Sequence, residues 1–382
     1  MQYCVDRSDT IRGAVMSTTF FNTSSFANQR ERFLAAASRV RATHVAYPHP
    51  MSGPRDEALS TDVAIVGLAS AQKRLVLLSG THGIEGYYGS DSQIALLDNL
   101  RDYSLPDDTC VVLVHLVNPW GTAWLRRVNE DNVDVNRNFI DFTHAPPANT
   151  AYEALHEIYL CRDLDGPERQ RADERLSKHM RNLGEARVRN IIEAGQYQHP
   201  DGVFFGGTQQ TWTNRTVRQI MQAHVAGART AITLDLHTGA GAYGHPMLMT
   251  IAERWVPAHD TAHSVYGPWL YRILTAADAS SDSGVAATAT GYVSQAMIDQ
   301  LTDVDLIPLV IECGTYDGAR GHTLLRDDHW LHLHGDPFDA TGRRIKAALL
   351  EHYYPADADW RDLIALRTRQ IWQRALDALT KM

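Results

Sequence analysis

Two histidines and one glutamate that follow short apolar segments have the residue types of a catalytic zinc site. His82 and Glu85 form an H-x-x-E motif after the apolar segment 74–80, and His237 follows the segment 231–236. Two imidazoles and one carboxylate commonly hold a catalytic zinc ion and leave its fourth position open to water. In a chain with 18 histidines, each histidine alone could be a plain loop or strand-end residue. The joint pattern nevertheless predicts a metal site.

Glu312 could supply the general base that a zinc hydrolase needs. It follows the apolar segment 306–311, and a carboxylate there is unfavourable to bury unless it is paired or used in chemistry. Metal-dependent hydrolysis requires a group that removes a proton from the attacking water. A salt-bridged or helix-capping glutamate is the structural alternative.

The polar segment 126–139 combines arginines, asparagines and carboxylates. Guanidinium groups bind carboxylates through paired hydrogen bonds, and they can stabilise an oxyanion that develops during hydrolysis. Asp134 could accept a hydrogen bond from a ligand histidine and so hold it in the metal-binding tautomer. A solvated polar loop is the alternative interpretation of this segment.

Four apolar segments are predicted to be the strands that position these groups. Continuous Val, Ile and Leu runs at 74–80, 110–117, 231–236 and 306–311 are typical of strands covered on both faces. Helical patterns lie between them, and the charged region 146–200 is interpreted as a helical insertion. We therefore predict an α/β fold with a mixed, largely parallel central sheet flanked by helices. Such sheets bind ligands beyond the carboxyl ends of their strands, where the candidate residues stand.

Together these motifs resemble the zinc carboxypeptidase superfamily. Its pattern combines H-x-x-E, an R-x-N, a V-D-x-N-R-N-F, a later strand-end histidine and a late strand-end glutamate, all present in this order. The resemblance implies zinc ligation by His82, Glu85 and His237, contact with the scissile carbonyl by Arg127, binding of the substrate's terminal carboxylate by Asn136 and Arg137, orientation of His82 by Asp134, and general-base catalysis by Glu312.

A tyrosine upstream of the base covers the substrate in carboxypeptidases. Tyr292, 20 residues before Glu312, is the candidate for this role. An ordinary loop tyrosine is the alternative.

Two further segments, 79–86 and 199–207, resemble a bacterial branch of the superfamily whose activity is poorly defined. Segment 212–214 resembles the same branch. The resemblance as a whole covers roughly residues 60–316. Segment 199–207 is not part of the digestive-enzyme pattern. It is interpreted either as shaping the pocket or as a plain glycine-rich loop.

Composition and charge argue against several function classes. The chain has 382 residues, with 36 Lys+Arg against 45 Asp+Glu and a formal net charge of −9 at pH 7, unlike a dedicated nucleic-acid binder. No stretch approaches the roughly 18 apolar residues of a membrane span, and residues 1–13 lack the apolar region of a secretory signal. The 4 cysteines form no C-x-x-C motif, which suits reduced thiols. We expect a cytoplasmic protein with no nucleic-acid or membrane partner.

The chain is expected to form one catalytic unit. We expect residues 1–15 to be an N-terminal extension, with Met16 as an alternative start, and residues 16–382 to form a single metallopeptidase-like catalytic domain. A G-x-G-x-x-G match at 239–244 precedes a predicted strand instead of a helix, which argues against a dinucleotide site.

The sequence thus predicts a zinc-dependent hydrolase with one zinc ion per chain. Its expected substrate is a peptide or amide next to a free carboxylate, cleaved as carboxypeptidases do. An N-acyl amino acid deacylase of the aspartoacylase-like branch is the first alternative, because its substrates also carry a carboxylate. A non-catalytic metal- or peptide-binding protein is the second, although retention of the whole ligand set and Glu312 argues against it.

Overall fold

The computed structural model describes residues 25–276 and 288–382. The expected N-terminal extension, residues 1–15, lies outside the described residues. Within the described ranges, no helix is both long and apolar enough to cross a membrane.

A central sheet of eight strands has the order β1-β2-β4-β3-β5-β8-β6-β7. The strands are β1 (Thr43–Ser52), β2 (Ala58–Val66), β3 (Lys73–Ser79), β4 (Thr109–His115), β5 (Thr230–Thr238), β6 (Pro246–Ala252), β7 (Leu270–Leu274) and β8 (Asp305–Cys313). Strands β4, β3, β5 and β8 run parallel in the middle of the sheet. Strands β2 and β6 join their outer edges in antiparallel fashion.

The four parallel strands are the four apolar segments predicted from the sequence. Every residue of β3 and β4 is buried, because helices cover both faces of the sheet. These strands therefore lack the alternation of apolar and polar residues that a half-exposed strand shows. The prediction of a mixed, largely parallel sheet flanked by helices is therefore confirmed.

Twelve helices of the described residues surround the sheet or extend from it. They are α1 (Phe26–Arg39), α2 (Gly86–Leu100), α3 (Pro119–Ala123), α4 (Glu153–Tyr159), α5 (Pro167–Leu183), α6 (Glu185–Glu193), α7 (Trp212–His224), α8 (Ala258–Tyr266), α9 (Val293–Gln300), α10 (Gly318–His334), α11 (Ala340–Tyr353) and α12 (Ala358–Lys381).

Apolar faces of these helices form one core on each side of the sheet. Helices α1, α2, α8 and α12 bury residues such as Phe33, Leu97 and Trp360 on one face. Helices α7 and α9 bury residues such as Ile220 and Met297 on the other. Helix α7 illustrates the local cause, since the Thr211 side chain accepts a hydrogen bond from the first turn and apolar residues then recur at helical spacing.

The region 146–200 is a helical insertion with a small core of its own, as predicted. Helices α4, α5 and α6 pack residues such as Leu155 and Ile192 together with Val203 and Phe204 of the following loop. The insertion is thereby joined to the segment that leads back to the sheet.

Sheet register brings the chemical groups to one edge. His237 near the end of β5 lies directly beside Glu312 of the parallel strand β8. On the other side of β5, Ser79 at the end of β3 pairs with Leu236, so His82 follows three positions beyond the same edge. Parallel neighbours end together, and this is why residues distant in the sequence meet here.

Candidate metal centre and active site

The three predicted ligands converge on one point. The Nδ1 atom of His82 lies 3.0 Å from Glu85 Oε1 and 3.2 Å from the Nδ1 atom of His237. The Nδ1 atom of His237 lies 3.0 Å from the other carboxylate oxygen, Glu85 Oε2. Ligand atoms about 2.0–2.1 Å from a tetrahedral zinc ion are separated by about 3.3 Å. All three residues are buried. Their spacing therefore fits a zinc ion.

The charges of this cluster also fit a cation. Burial opposes ionisation of Glu85, yet His82 and His237 hold its pKa well below the ordinary range. Burial would likewise lower the pKa of His237, but the carboxylates of Asp235 and Glu85 hold it well above the ordinary value. Two carboxylates directed at buried imidazoles thus favour positive charge at this point.

Local backbone contacts hold the H-x-x-E segment in place. The amides of Gly83 and Ile84 donate to the carbonyl oxygens of Arg127 and Arg126 at 3.1 and 2.8 Å. A Cβ added to Gly83 would lie 2.2 Å from the carbonyl carbon of Gly121, so only glycine allows this approach. The ligands are therefore fixed to the arginine segment that belongs to the same site.

A carboxylate faces the second nitrogen of each ligand histidine. Nε2 of His82 lies 3.3 Å from Asp134 Oδ1, and Nε2 of His237 lies 3.0 Å from Asp235 Oδ2. The Thr81 hydroxyl donates to the other oxygen of Asp235 at 2.8 Å. Carboxylates in these positions keep the proton on Nε2 and leave Nδ1 free to bind a metal.

Asp235 was missed in the sequence interpretation. Its signal was its position two residues before His237 on a strand, because alternate residues of a strand lie on the same face. The D-x-H spacing therefore places this carboxylate beside the ligand.

We expect Asp235→Asn to weaken zinc binding about 10–100-fold, since loss of a histidine's carboxylate partner typically has this effect. The measurement is competition with a calibrated chelator for the most tightly bound zinc. Asp141→Asn is the matched control, because Asp141 also accepts from a histidine, His144, but both side chains are exposed. Equal zinc affinity in wild type and Asp235→Asn would show that Asp235 does not support the ligand.

Arg127 lies beside the ligand cluster. Its guanidinium donates to Glu85 Oε1 at 3.0 Å and to Asp134 Oδ2 at 3.2 Å, and it lies 5.4 Å from the centre of the Phe204 ring. Its Nη2 atom is 2.9 Å from His82 Nε2, which is a hydrogen bond only when that nitrogen carries no proton. If His82 bound a metal through Nδ1, Asp134 would be the acceptor for its Nε2 proton and this Arg127 nitrogen would be free of that contact.

Arg137 is held rigidly by backbone carbonyl groups. It donates to the carbonyl oxygens of Glu193 and Asn136 at 2.9 and 2.8 Å, and its guanidinium lies 4.8 Å from the centre of the Tyr292 ring. The Oδ1 atom of Asn136 accepts from the amide of Val293 at 3.1 Å, which fixes the orientation of that side chain. A fixed cation and a fixed amide thus stand together, as the binding of a carboxylate would require.

A cavity of about 450 Å³ joins these groups. Eight of the nine predicted site residues line it, namely His82, Glu85, Arg127, Asn136, Arg137, His237, Tyr292 and Glu312. Asp134 is fully buried behind His82. Cavities of roughly 300–1,000 Å³ are typical of small-molecule sites.

Glu312 has the electrostatic character of a proton carrier. Its Oε1 atom accepts from the amide of Ala240 at 3.0 Å, in the glycine-rich loop that follows His237. Burial raises the pKa of Glu312 to about 8, and repulsion by the Glu85 carboxylate adds to the shift. A group whose pKa lies near the working pH can both accept and return a proton.

Tyr353 is a second residue that the sequence interpretation missed. It ends helix α11 and lines the cavity, where the Thr238 hydroxyl donates to its backbone carbonyl at 2.7 Å. Burial raises the pKa of its phenol well above the ordinary value, so the hydroxyl remains a hydrogen-bond donor. No motif around Tyr353 marks it, because it reaches the site only through the packing of α11.

Segments 199–207 and 239–244 both contribute backbone to the site. The Phe205 carbonyl accepts from the amide of Asp134 at 2.8 Å, which supports the pocket-shaping interpretation of the first segment. The second is followed by strand β6 instead of a helix. The structure therefore lacks the strand–loop–helix unit that a dinucleotide site would need there.

Comparison with known proteins gives a family and several distant structural similarities. The family model described as "Protein of unknown function (DUF2817)" matches residues 21–367. A search of the curated proteins finds no match.

Three solved structures illustrate what this fold is similar to. Bovine thrombin-activatable fibrinolysis inhibitor, in complex with tick carboxypeptidase inhibitor, is 12% identical, with 91% of this chain and 97% of that chain covered and a TM-score of 0.43. Carboxypeptidase A from Helicoverpa armigera is 13% identical, with 88% and 71% covered and a TM-score of 0.41. A succinylglutamate desuccinylase from Silicibacter is 13% identical, with 77% and 67% covered and a TM-score of 0.36.

Proposed function

We propose that this chain, which belongs to the family described as "Protein of unknown function (DUF2817)", is a zinc-dependent hydrolase of peptide or amide bonds next to a free carboxylate. The observation that carries the proposal is the meeting of three groups in one cavity. His82, Glu85 and His237, which could hold a metal ion, line the same cavity as Glu312 and Arg137. A binding protein would need the ligands and the arginine but not Glu312.

Zinc, when bound by these three ligands, would polarise the scissile carbonyl and lower the pKa of water. Glu312 would take the proton from the attacking water and deliver it to the leaving amine, which a pKa near neutrality permits. Arg127 would stabilise the developing oxyanion.

The substrate carboxylate would be held by Arg137 and Asn136. Both side chains are fixed before any ligand arrives, so little conformational entropy is lost when the carboxylate binds. Tyr292 packs on the Arg137 guanidinium and would keep it aligned in the wall of the cavity.

An N-acyl amino acid is the second candidate substrate class, and the cavity wall favours a short molecule. Arg189 and Glu193 of the helical insertion and His322 of α10 line the outer part of the cavity. The Glu193 carboxylate lies 2.8 Å from His322 Nε2, so the two elements are bridged there. A dipeptide or an N-acyl amino acid would fit a cavity of about 450 Å³.

We expect the enzyme to cleave substrates with a free carboxylate roughly 10–100-fold more efficiently in kcat/KM than their amides, because hydrogen bonds to charged groups contribute about 1.5–3 kcal/mol each. Arg137→Ala should abolish most of this preference. The measurement is hydrolysis of paired free and amidated dipeptides and N-acyl amino acids by zinc-loaded protein.

Arg189→Ala is the control, because this exposed arginine lines the same cavity and its removal changes the net charge equally. It should keep the preference. Equal cleavage of free and amidated substrates by the wild-type enzyme would contradict the role of Arg137. Cleavage of N-acyl amino acids with rejection of every peptide would establish the deacylase.

A further inference from the structure

A second cluster of metal-ligand side chains lies in the helical insertion. His156 belongs to α4, whereas His199 and Asp201 belong to the loop after α6. One ligand atom from each of the three lies within 4.8 Å of the others. These residues do not line the cavity described above, so the cluster is separate from the proposed catalytic centre.

The imidazole and carboxylate groups of the cluster lie close together, but not all of them are within hydrogen-bond distance of one another. The imidazole rings of His156 and His199 stack with centroids 3.8 Å apart. Nε2 of His156 lies 3.7 Å from Asp201 Oδ1, which is too long for a hydrogen bond. Nε2 of His199 lies 2.9 Å from Glu153 Oε1. Asp201 thus lies near His156, and Glu153 lies beside His199.

The donor types of this arrangement suit a cation. The ion pairs of Asp201 and Glu153 are both with these histidines. Imidazole and carboxylate together form a donor set that suits zinc and similar divalent transition metals. Three side chains would leave a fourth position of a tetrahedral site to water.

We propose that His156, His199 and Asp201 bind a second divalent metal ion such as zinc. The site is weaker than the catalytic one because the Asp201 side chain is 58% exposed and must be ordered when the ion binds. It fills when zinc is in excess, whereas the buried ligand set retains its ion through dialysis.

The second ion would stabilise the loop that supports the catalytic centre. Asn132 donates to the carbonyl oxygens of Pro200 and Gly202, at 3.0 and 2.9 Å. The amide of Asp134 donates to Phe205 further along the same loop. An ion that joins α4 to residues 199 and 201 would therefore hold the segment against which Asp134 is fixed. Its expected effect is on stability, because none of its ligands reaches the cavity.

The test is a zinc titration of dialysed full-length protein, followed by calorimetry and thermal unfolding. We expect a second equivalent of zinc to bind to the wild type and to raise the melting temperature, because an ion that binds only the folded state stabilises it. His199→Gln should weaken this second binding roughly 100-fold or more, since even the loss of an outer partner costs about 10–100-fold. The first, tightly held equivalent should remain.

Two further variants separate this site from the catalytic one. His144→Gln removes an exposed histidine that also pairs with a carboxylate, and it should keep both equivalents. The double variant His82→Ala and His237→Ala should lose the tight equivalent but still bind the second. Absence of any second equivalent in the wild type would overturn the proposal, and so would a second equivalent that survives His156→Gln together with His199→Gln.

Discussion

Replacing Glu312 by glutamine is expected to lower turnover by about 10²–10⁴-fold, the usual contribution of a general base. Glutamine keeps the size of the side chain and its hydrogen bond with Ala240, but it cannot accept a proton. Zinc content and melting temperature should be nearly unchanged because the three ligands remain. Substrate affinity should also persist, since Arg137 and Asn136 are intact.

The control for this variant is Asp305→Asn, the same type of change at the other end of the same strand. Asp305 is exposed at the start of β8 and lies far along the strand from the site, so this variant should keep normal turnover. Zinc, melting temperature and turnover are measured side by side on both proteins. Loss of zinc in Glu312→Gln would make Glu312 a ligand, and normal turnover would remove it from the mechanism.

Replacing either ligand histidine by alanine is expected to remove the tightly bound zinc almost completely, and turnover with it. His82 and His237 would each supply one of the three proposed protein ligands, and their buried positions leave little room for a substitute donor. Elemental analysis after dialysis against metal-free buffer, combined with turnover measurements, tests this expectation.

His245→Ala is the matched control for the ligand variants. His245 lies eight residues after His237 but is exposed and does not line the cavity. It should therefore keep both its zinc and its activity. Full retention of tight zinc in His82→Ala and in His237→Ala would disprove the ligand assignment.

The fold was predictable because its central strands carry an unusually direct signal. The four apolar runs do not alternate with polar residues, which is typical of strands buried on both faces. They form β3, β4, β5 and β8. Their order in the sheet was not predictable, because β5 and β8 are separated by β6 and β7 in the chain. The pairing of His237 with Glu312 follows from that order, so the sequence alone indicated only a shared edge.

Some residues of the candidate site lie in local sequence motifs, whereas others reach it only through tertiary packing. His82, Glu85 and Arg137 stand in motifs whose spacing is local, so the sequence could propose them as site residues, and the structure places them around one cavity. Tyr353 lies 115 positions from Thr238, to which it is joined by a hydrogen bond. Contacts of this kind depend on how α11 packs against the H-x-x-E segment, where Tyr353 joins Ile84 and Tyr87 in one apolar cluster. No residue pattern encodes such packing directly.

The central claim is that hydrolysis depends on zinc held by His82, Glu85 and His237. The most direct test is to strip the wild-type protein of metal, restore one equivalent of zinc, and follow hydrolysis of dipeptides and N-acyl amino acids with free carboxylates. We expect no turnover in the stripped protein and full recovery at one equivalent of zinc, with no recovery in His237→Ala. Undiminished activity of the metal-free protein, or failure of the zinc-loaded protein to cleave either substrate class, would contradict it.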